Sequence, residues 1–336
     1  MMTYLFVVAI IALALFISLN VSNYIEANLW ELAKVQVLQE GSKGGKIYLL
    51  IAGFNQPTSS WQDLVDGEVF KPHDRVLALP RRFNELVPGR HWLYPLAWVG
   101  FDGQTTLAIQ CIKVLINNGQ IPKHFWVIGH SVGAGIAQSI AEALPNSVIG
   151  LTLANSPPHE RFKLTTNWSF WHNGGLLALI PATLGLLRIT WGFKPWSATV
   201  RGLYTGQKVD NVTLRAYQAD LLADSPAAFI GLLFFYKGGA LKRAREKGFN
   251  GPIHYVICPG DTIFRADDIR VSAQMEPRGE VHELASTTPH CFQFETDPEA
   301  KRGNYAILRQ AIGGDDPTPI LTEDDNVIPI TKKRAV

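Results

Sequence analysis

The segment Gly129-His130-Ser131-Val132-Gly133 sets a serine between two glycines. It follows an apolar run, HFWVIG (His124–Gly129), and leads into a small-residue stretch, AGIAQSIAEAL (Ala134–Leu144). The run reads as a buried strand and the stretch as a helix, so Ser131 stands at a sharp strand-to-helix turn. Such a turn is strained, and side chains at positions 129 and 133 would collide with neighbouring backbone; Gly129 and Gly133 answer that constraint. The geometry exposes the hydroxyl at the carboxyl edge of a sheet. It also frees the amide of Val132, at a helix N-terminus, to stabilise a developing oxyanion. The chemistry this suggests is nucleophilic attack by Ser131 on a carbonyl carbon.

A serine hydroxyl attacks only when a base takes its proton. Of nine histidines, His290 is the candidate, because it lies in a loop, TTPHCF, between the last expected strand and a closing helix. His282 and His254 alternate within expected strands and read as structural. His130 flanks the serine and is expected to point elsewhere, and His159 reads as a surface residue. The base needs an acceptor to fix its tautomer and to stabilise the imidazolium. Asp261 ends the run IHYVICPGD (Ile253–Asp261), between Ser131 and His290 in chain order, and is the expected acid; a turn aspartate is the plainer reading of its position. Asp267 and Asp268 are runners-up, better suited to capping the next helix. A second oxyanion donor is expected from IAGFNQPTSSW, where the amide of Phe54 follows Gly53.

These residues need a scaffold. KIYLLIAG, DRVLALP (Asp74–Pro80), HFWVIG and SVIGLTLANS (Ser147–Ser156) are short apolar runs. Helical stretches intervene, such as Gln104–Asn118, whose Leu107, Ala108, Cys111, Ile112, Leu115 and Ile116 share a face. The alternation predicts βαβ units and an α/β fold with a mostly parallel central sheet flanked by helices. VQVL, before the Gly-rich turn at Gly41–Gly45, alternates as a short edge strand would. The rhythm breaks between His159 and Asn250 and resumes with IHYVICPGD, EVHELA (Glu280–Ala285) and a helix over about Pro298–Ile312. The expected organisation is a core over 25–158 and 251–312, a helical cap inserted at 159–250, and a loose tail over 313–336. The cap is rich in Trp, Phe and Tyr. That richness fits an apolar pocket, or a cap that needs a core of its own.

Among 336 residues, 31 basic side chains nearly balance 29 acidic ones, so no strong field exists to hold nucleic acid. Apolar residues make up 47%, enough for a large core and too many for a disordered chain. Three cysteines cannot build a disulfide framework, and none has the C-x-x-C spacing of a zinc or redox site. No charged side chain precedes Glu26, and Tyr4–Val21 is interrupted only by Ser18 and Asn20. As a helix it reaches about 27 Å, close to the hydrocarbon thickness of a bilayer. Residues 1–24 are therefore expected to form an N-terminal transmembrane helix, a single-pass anchor. A signal peptide would want a basic start and a small-x-small cleavage site, which are missing. Lys34, Lys43 and Lys46 follow the anchor, which favours a cytoplasmic catalytic domain.

Over about Lys46 to Ile312 the chain resembles a capped α/β-hydrolase. The resemblance rests on the glycine loop followed by Trp61, the G-H-S-V-G elbow, the P-G-D turn, the late His290 followed by Asp297-Pro298-Glu299, and the chain order Ser131, Asp261, His290. It implies a serine esterase or lipase with no metal and no organic cofactor. Epoxide hydrolase and dehalogenase chemistry is not implied, because those relatives place Asp where Ser131 stands. Two departures stand out. Ala52-Gly53 replaces the usual His-Gly of the oxyanion loop, which changes how that loop is braced. LPRRFNELVPGR, with Arg81, Arg82 and Arg90, replaces the usual loop after the next strand. The expected activity is cleavage of carboxylic esters or thioesters with an apolar acyl part, at a membrane whose lipid is a partner. The alternatives are a peptidase or amidase of the same fold, and a non-catalytic, membrane-tethered lipid-binding protein.

Overall fold

The structure is a computed structural model that describes residues 35–42, 44–53, 56, 58–79, 101–157, 238–261 and 263–313. Among these residues one sheet holds seven strands: β1 (Gln36–Gln39), β2 (Ile47–Ile51), β3 (Arg75–Ala78), β4 (Phe125–His130), β5 (Val148–Ala154), β6 (Ile253–Ile257) and β7 (Gly279–Glu283). Their order is β1-β3-β2-β4-β5-β6-β7. Every neighbouring pair is parallel except β1 with β3, so the short edge strand is the antiparallel one. The described helices are α1 (Gln62–Asp66), α2 (Phe101–Asn117), α3 (Val132–Ala143), α4 (Ala240–Glu246), α5 (Ala266–Gln274) and α6 (Pro298–Ala311).

The central strands are apolar on both faces because helices cover both. On one face, Leu49, Val127, Leu151 and Tyr255 pack with Ile112 of α2, Ile136 and Ile140 of α3, Leu241 of α4 and Ile269 of α5. On the other, Leu50, Trp126, Ile128 and Val256 pack with Leu64 of α1 and Leu308 of α6. Strand alternation thus splits one sheet between two cores.

Helix α4 lies inside the stretch expected as cap, yet Leu241, Ala244 and Phe249 are fully buried in the first of these cores. The end of that stretch therefore packs as core. Residues 159–237 of the expected cap, the anchor over 1–24, the Arg81–Arg90 loop and the tail from 314 lie outside the described residues. Among the described residues no helix is long and apolar enough to cross a membrane.

Candidate active site

Strand β4 ends at His130 and α3 begins at Val132, with Ser131 alone between them. Ser131 has φ 54° and ψ −124°, a conformation that costs a non-glycine residue of order 1–3 kcal/mol. It is held there from both sides. The Ser131 N–H donates to the carbonyl of Ala154 (2.8 Å), and the Ala134 N–H donates to the carbonyl of Ser131 (2.9 Å). A Cβ on Gly129 would stand 2.3 Å from the carbonyl oxygen of Gly133, and one on Gly133 would stand 2.3 Å from that of Ile51. The first contact lies within the elbow; the second presses the elbow onto the end of β2. Val132 opens α3, where first-turn amides have no intrahelical acceptor.

Asp261 and His290 approach the same rim from the far side of β5. His290 Nδ1 lies 2.7 Å from Asp261 Oδ2, and both side chains are almost fully buried. Of the contacts within the Ser131, His290 and Asp261 trio, this is the hydrogen bond that is formed. The other carboxylate oxygen, Oδ1, accepts from the backbone N–H of Ile263 (2.6 Å) and of Phe264 (3.1 Å). One oxygen is thereby fixed by the turn and the other is left for the imidazole. The acid turn also grips the histidine loop, because the Gly260 N–H donates to the carbonyl of Thr288 (3.1 Å). A Cβ on Gly260 would meet that same oxygen at 2.7 Å.

Three side chains not assigned to the site from sequence brace it. Asn155, with φ 43°, follows β5 directly. Its Nδ2 donates to the carbonyl of His290 (2.7 Å), and its Oδ1 accepts from the N–H of Cys258 (2.9 Å). It thus joins the ends of β5 and β6 to the histidine loop. His130 does not point away from the site, contrary to expectation. Its ring is fully buried 4.9 Å from that of His290, with Nε2 2.8 Å from the carbonyl oxygen of His290 and Nδ1 2.7 Å from Gln56 Oε1. Gln56 Oε1 also accepts from the N–H of Gly53 (2.8 Å). A Cβ on Gly53 would lie 2.8 Å from His130 Nδ1 and 3.0 Å from Ser131 Cβ, so the loop after β2 sits directly against the serine. Gln56 and His130 therefore brace a loop that carries Ala52 where a histidine is usual.

Burial, reinforced by the neighbouring His290, holds the pKa of His130 well below the usual imidazole value. Its two oxygen neighbours would suit a doubly protonated ring, and the bond to His290 O pulls the pKa upward. Desolvation dominates for a ring with no solvent contact, so the ring is neutral. A neutral ring donates from Nε2 to His290 O, and Nδ1 then needs a donor. Exchanging the nitrogen and oxygen of the Gln56 amide would supply one, and would set His130 in competition with Gly53 for that amide.

The cysteines carry no comparable chemistry. All three are buried and free. Burial first, and the adjacent Asp261 second, push the Cys258 thiol well above its ordinary range. Burial pushes that of Cys111 up to about 12. Neither thiol supplies a thiolate near neutrality.

Of the residues expected in the site, Ser131, Val132, Gly129, Gly133, Asp261 and His290 are described and lie at the carboxyl ends of β4 and β6 and in the loop after β7. Phe54 and His159 lie outside the described residues. Asp267 and Asp268 occupy the first turn of α5 but do not cap it, since its N-cap is Arg265 and no side chain bonds there. His254 and His282 stand within β6 and β7, His254 near the start of its strand and His282 one residue from the end of its own.

No family model matches the sequence, and no curated protein matches it. Solved structures of similar shape do exist. A hydrolase from Oleispira antarctica superposes with TM-score 0.59 at 14% identity, over 84% of this chain and 97% of that one. A structure reported in work on carboxylesterases of the thaumarchaeon Nitrososphaera gargenis gives 0.57 at 17%, over 83% and 95%. A membrane phospholipase A, described as a bacterial virulence factor, gives 0.56 at 14%, over 92% and 97%. Haloalkane dehalogenases, one of them from Bradyrhizobium elkani (0.57, 13%, over 83% and 94%), share the same shape. The sheet order, the elbow and these superpositions agree, and the chain has the α/β-hydrolase fold.

Proposed function

We propose that this chain is a serine hydrolase that cleaves carboxylic esters or thioesters with an apolar acyl part. The observation that carries the reading is the buried 2.7 Å contact between His290 and Asp261, at the rim where the elbow holds Ser131. In this reading Ser131 Oγ attacks the carbonyl carbon while its proton passes to Nε2 of His290. Asp261 accepts the Nδ1–H of His290, which selects the tautomer with a free Nε2 and stabilises the imidazolium. The amides of Val132 and Phe54 hold the tetrahedral oxyanion. The intermediate collapses, the alcohol or thiol leaves with the proton from His290, and an acyl group stays on Ser131. Water, deprotonated by His290, then releases the acid and regenerates the serine.

The fold alone hosts several chemistries, so the residue at the elbow decides among them. The family resemblance implies Asp at this position for dehalogenase chemistry, and this chain carries Ser131, which supports acyl transfer. The aromatic-rich stretch over 159–250 and the apolar run at 4–21 support an apolar acyl substrate met at a membrane, with the anchor on residues 1–24. The similarity to a structure described as a membrane phospholipase A agrees with that choice. The test is a fluorophosphonate probe added to membranes carrying the full chain. Wild type should label and Ser131→Ala should not. Equal labelling of both ends the proposal, and absent labelling of both, with intact lipid binding, favours the non-catalytic alternative.

A further inference from the structure

Away from the rim, β6 and β7 run side by side in a register that pairs His254 with Glu280 and Val256 with His282. Alternation puts positions 254, 280 and 282 on one face of the sheet, the face on which Val256 and Leu284 pack. There His254 Nδ1 lies 2.8 Å from His282 Nε2. Glu280 Oε2 lies 3.5 Å from the first of these nitrogens and 3.9 Å from the second. The three atoms form an uneven triangle with sides of 2.8, 3.5 and 3.9 Å, and the circle through them has a radius of about 2.0 Å. A cation about 0.6 Å out of their plane would stand about 2.1 Å from all three, the bond length of zinc to imidazole or carboxylate.

We propose that His254, Glu280 and His282 form a binding site for a divalent transition-metal cation, with Zn2+ the best match. Two imidazoles and one carboxylate suit a borderline cation and do not suit Ca2+ or Mg2+, which prefer all-oxygen shells. The Glu280 side chain is 65% exposed, so the carboxylate side of the triangle faces solvent. Its ligands stand on two strands locked by a parallel ladder, and sites built on such elements hold their geometry better than loop sites. β6 leads into the Asp261 turn and β7 into the loop that carries His290. A bound cation therefore ties the start of β6 to both the start and the end of β7, the two strands that deliver acid and base. A plain N–H···N bond between the rings explains the shortest side of the triangle. It does not require a carboxylate at ligand distance from both nitrogens.

The experiment titrates the purified full chain, stripped with a chelator, with Co2+ and then Zn2+. One equivalent of Co2+ should bind and give the intense visible bands of a four-coordinate site, which Zn2+ bleaches. Zn2+ should raise the Tm of the wild type. His282→Gln should lose both effects, and Glu280→Gln should weaken binding while leaving the far-UV circular dichroism unchanged. Binding well below one equivalent, or equal binding by His282→Gln, overturns the site. Because His254 is buried, the two more accessible ligands carry the test. The site stands apart from the hydrolase reading: labelling at Ser131 without stoichiometric Co2+ sinks the cation site alone, and the reverse result sinks the hydrolase alone.

Discussion

Acidification should weaken the folded chain through His130, and the sign of the effect tests how the site is braced. The folded pKa of His130 is depressed below 6.5, so as pH falls the unfolded chain takes up this proton first. The stabilisation from the neutral ring is fully present above 6.5 and is eroded below it, until the folded pKa is reached. Between pH 7.5 and pH 5.5 the loss approaches about 1.4 kcal/mol, one proton over one pH unit. The groups that face the ring are His290, with Asp261 behind it, the amide of Gln56 and the edge of Phe292. Glu142 and Glu283, held low by their basic partners, lose their contribution only below about 4.5 and stay outside the window. The assay is urea unfolding at pH 7.5, 6.5 and 5.5 for wild type and for His130→Asn. The variant keeps His290 and Asp261, is less stable throughout, and should show a stability gap to wild type that shrinks by about 1.4 kcal/mol at pH 5.5. Parallel curves would refute the reasoning. A gap that widens as pH falls would show the opposite state, a buried imidazolium held between the oxygens of Gln56 and His290.

Other outcomes follow from the same contacts. Asp261→Asn keeps an oxygen for the amides of Ile263 and Phe264 but disfavours the tautomer His290 needs; the rate of fluorophosphonate labelling should fall by about 10^3–10^4-fold with little change in Tm. Asn155→Ala leaves the buried Cys258 N–H without an acceptor and puts alanine at φ 43°, so urea unfolding should show a loss of about 2–4 kcal/mol. Gly133→Ala drives a methyl into the carbonyl of Ile51 and should cost about 3 kcal/mol, whereas Gly303→Ala in α6 meets nothing within 4 Å and should stabilise by up to about 1 kcal/mol in the same assay.

How much of this was legible in the sequence depends on how far apart the determinants lie. The elbow could be read because its parts are contiguous: an apolar strand, two glycines flanking one residue, and a small-residue helix. β5, β6 and α6 could be read for the same reason, with ends misplaced by a few residues. Chain order and the resemblance single out Asp261 and His290, and their contact follows once β6 and β7 are neighbours. Gln56, Asn155 and the contacts of His130 are not legible in this way. Each acts across strands whose adjacency no local pattern encodes: Gln56 follows β2, His130 ends β4, and Asn155 follows β5. A signal was present for Asn155, a polar residue directly after an apolar strand, and for Gln56, three residues past Gly53. Neither says what the side chain touches.

The same distinction explains why two histidines read as structural became a candidate metal site. Alternation within one strand assigns His282 to a face, and a similar count assigns His254, but neither count shows that the two faces coincide. A shift of one residue in the β6–β7 register would turn His282 to the opposite side of the sheet. The register that brings His254 and His282 into contact also sets the strand ends from which the Asp261 turn and the His290 loop depart. The two proposed sites, one at the rim and one along the strands, therefore rest on a single pairing. A substitution that slips β7 by one residue should abolish stoichiometric Co2+ binding and Ser131 labelling together, whereas His282→Gln should remove the first and spare the second.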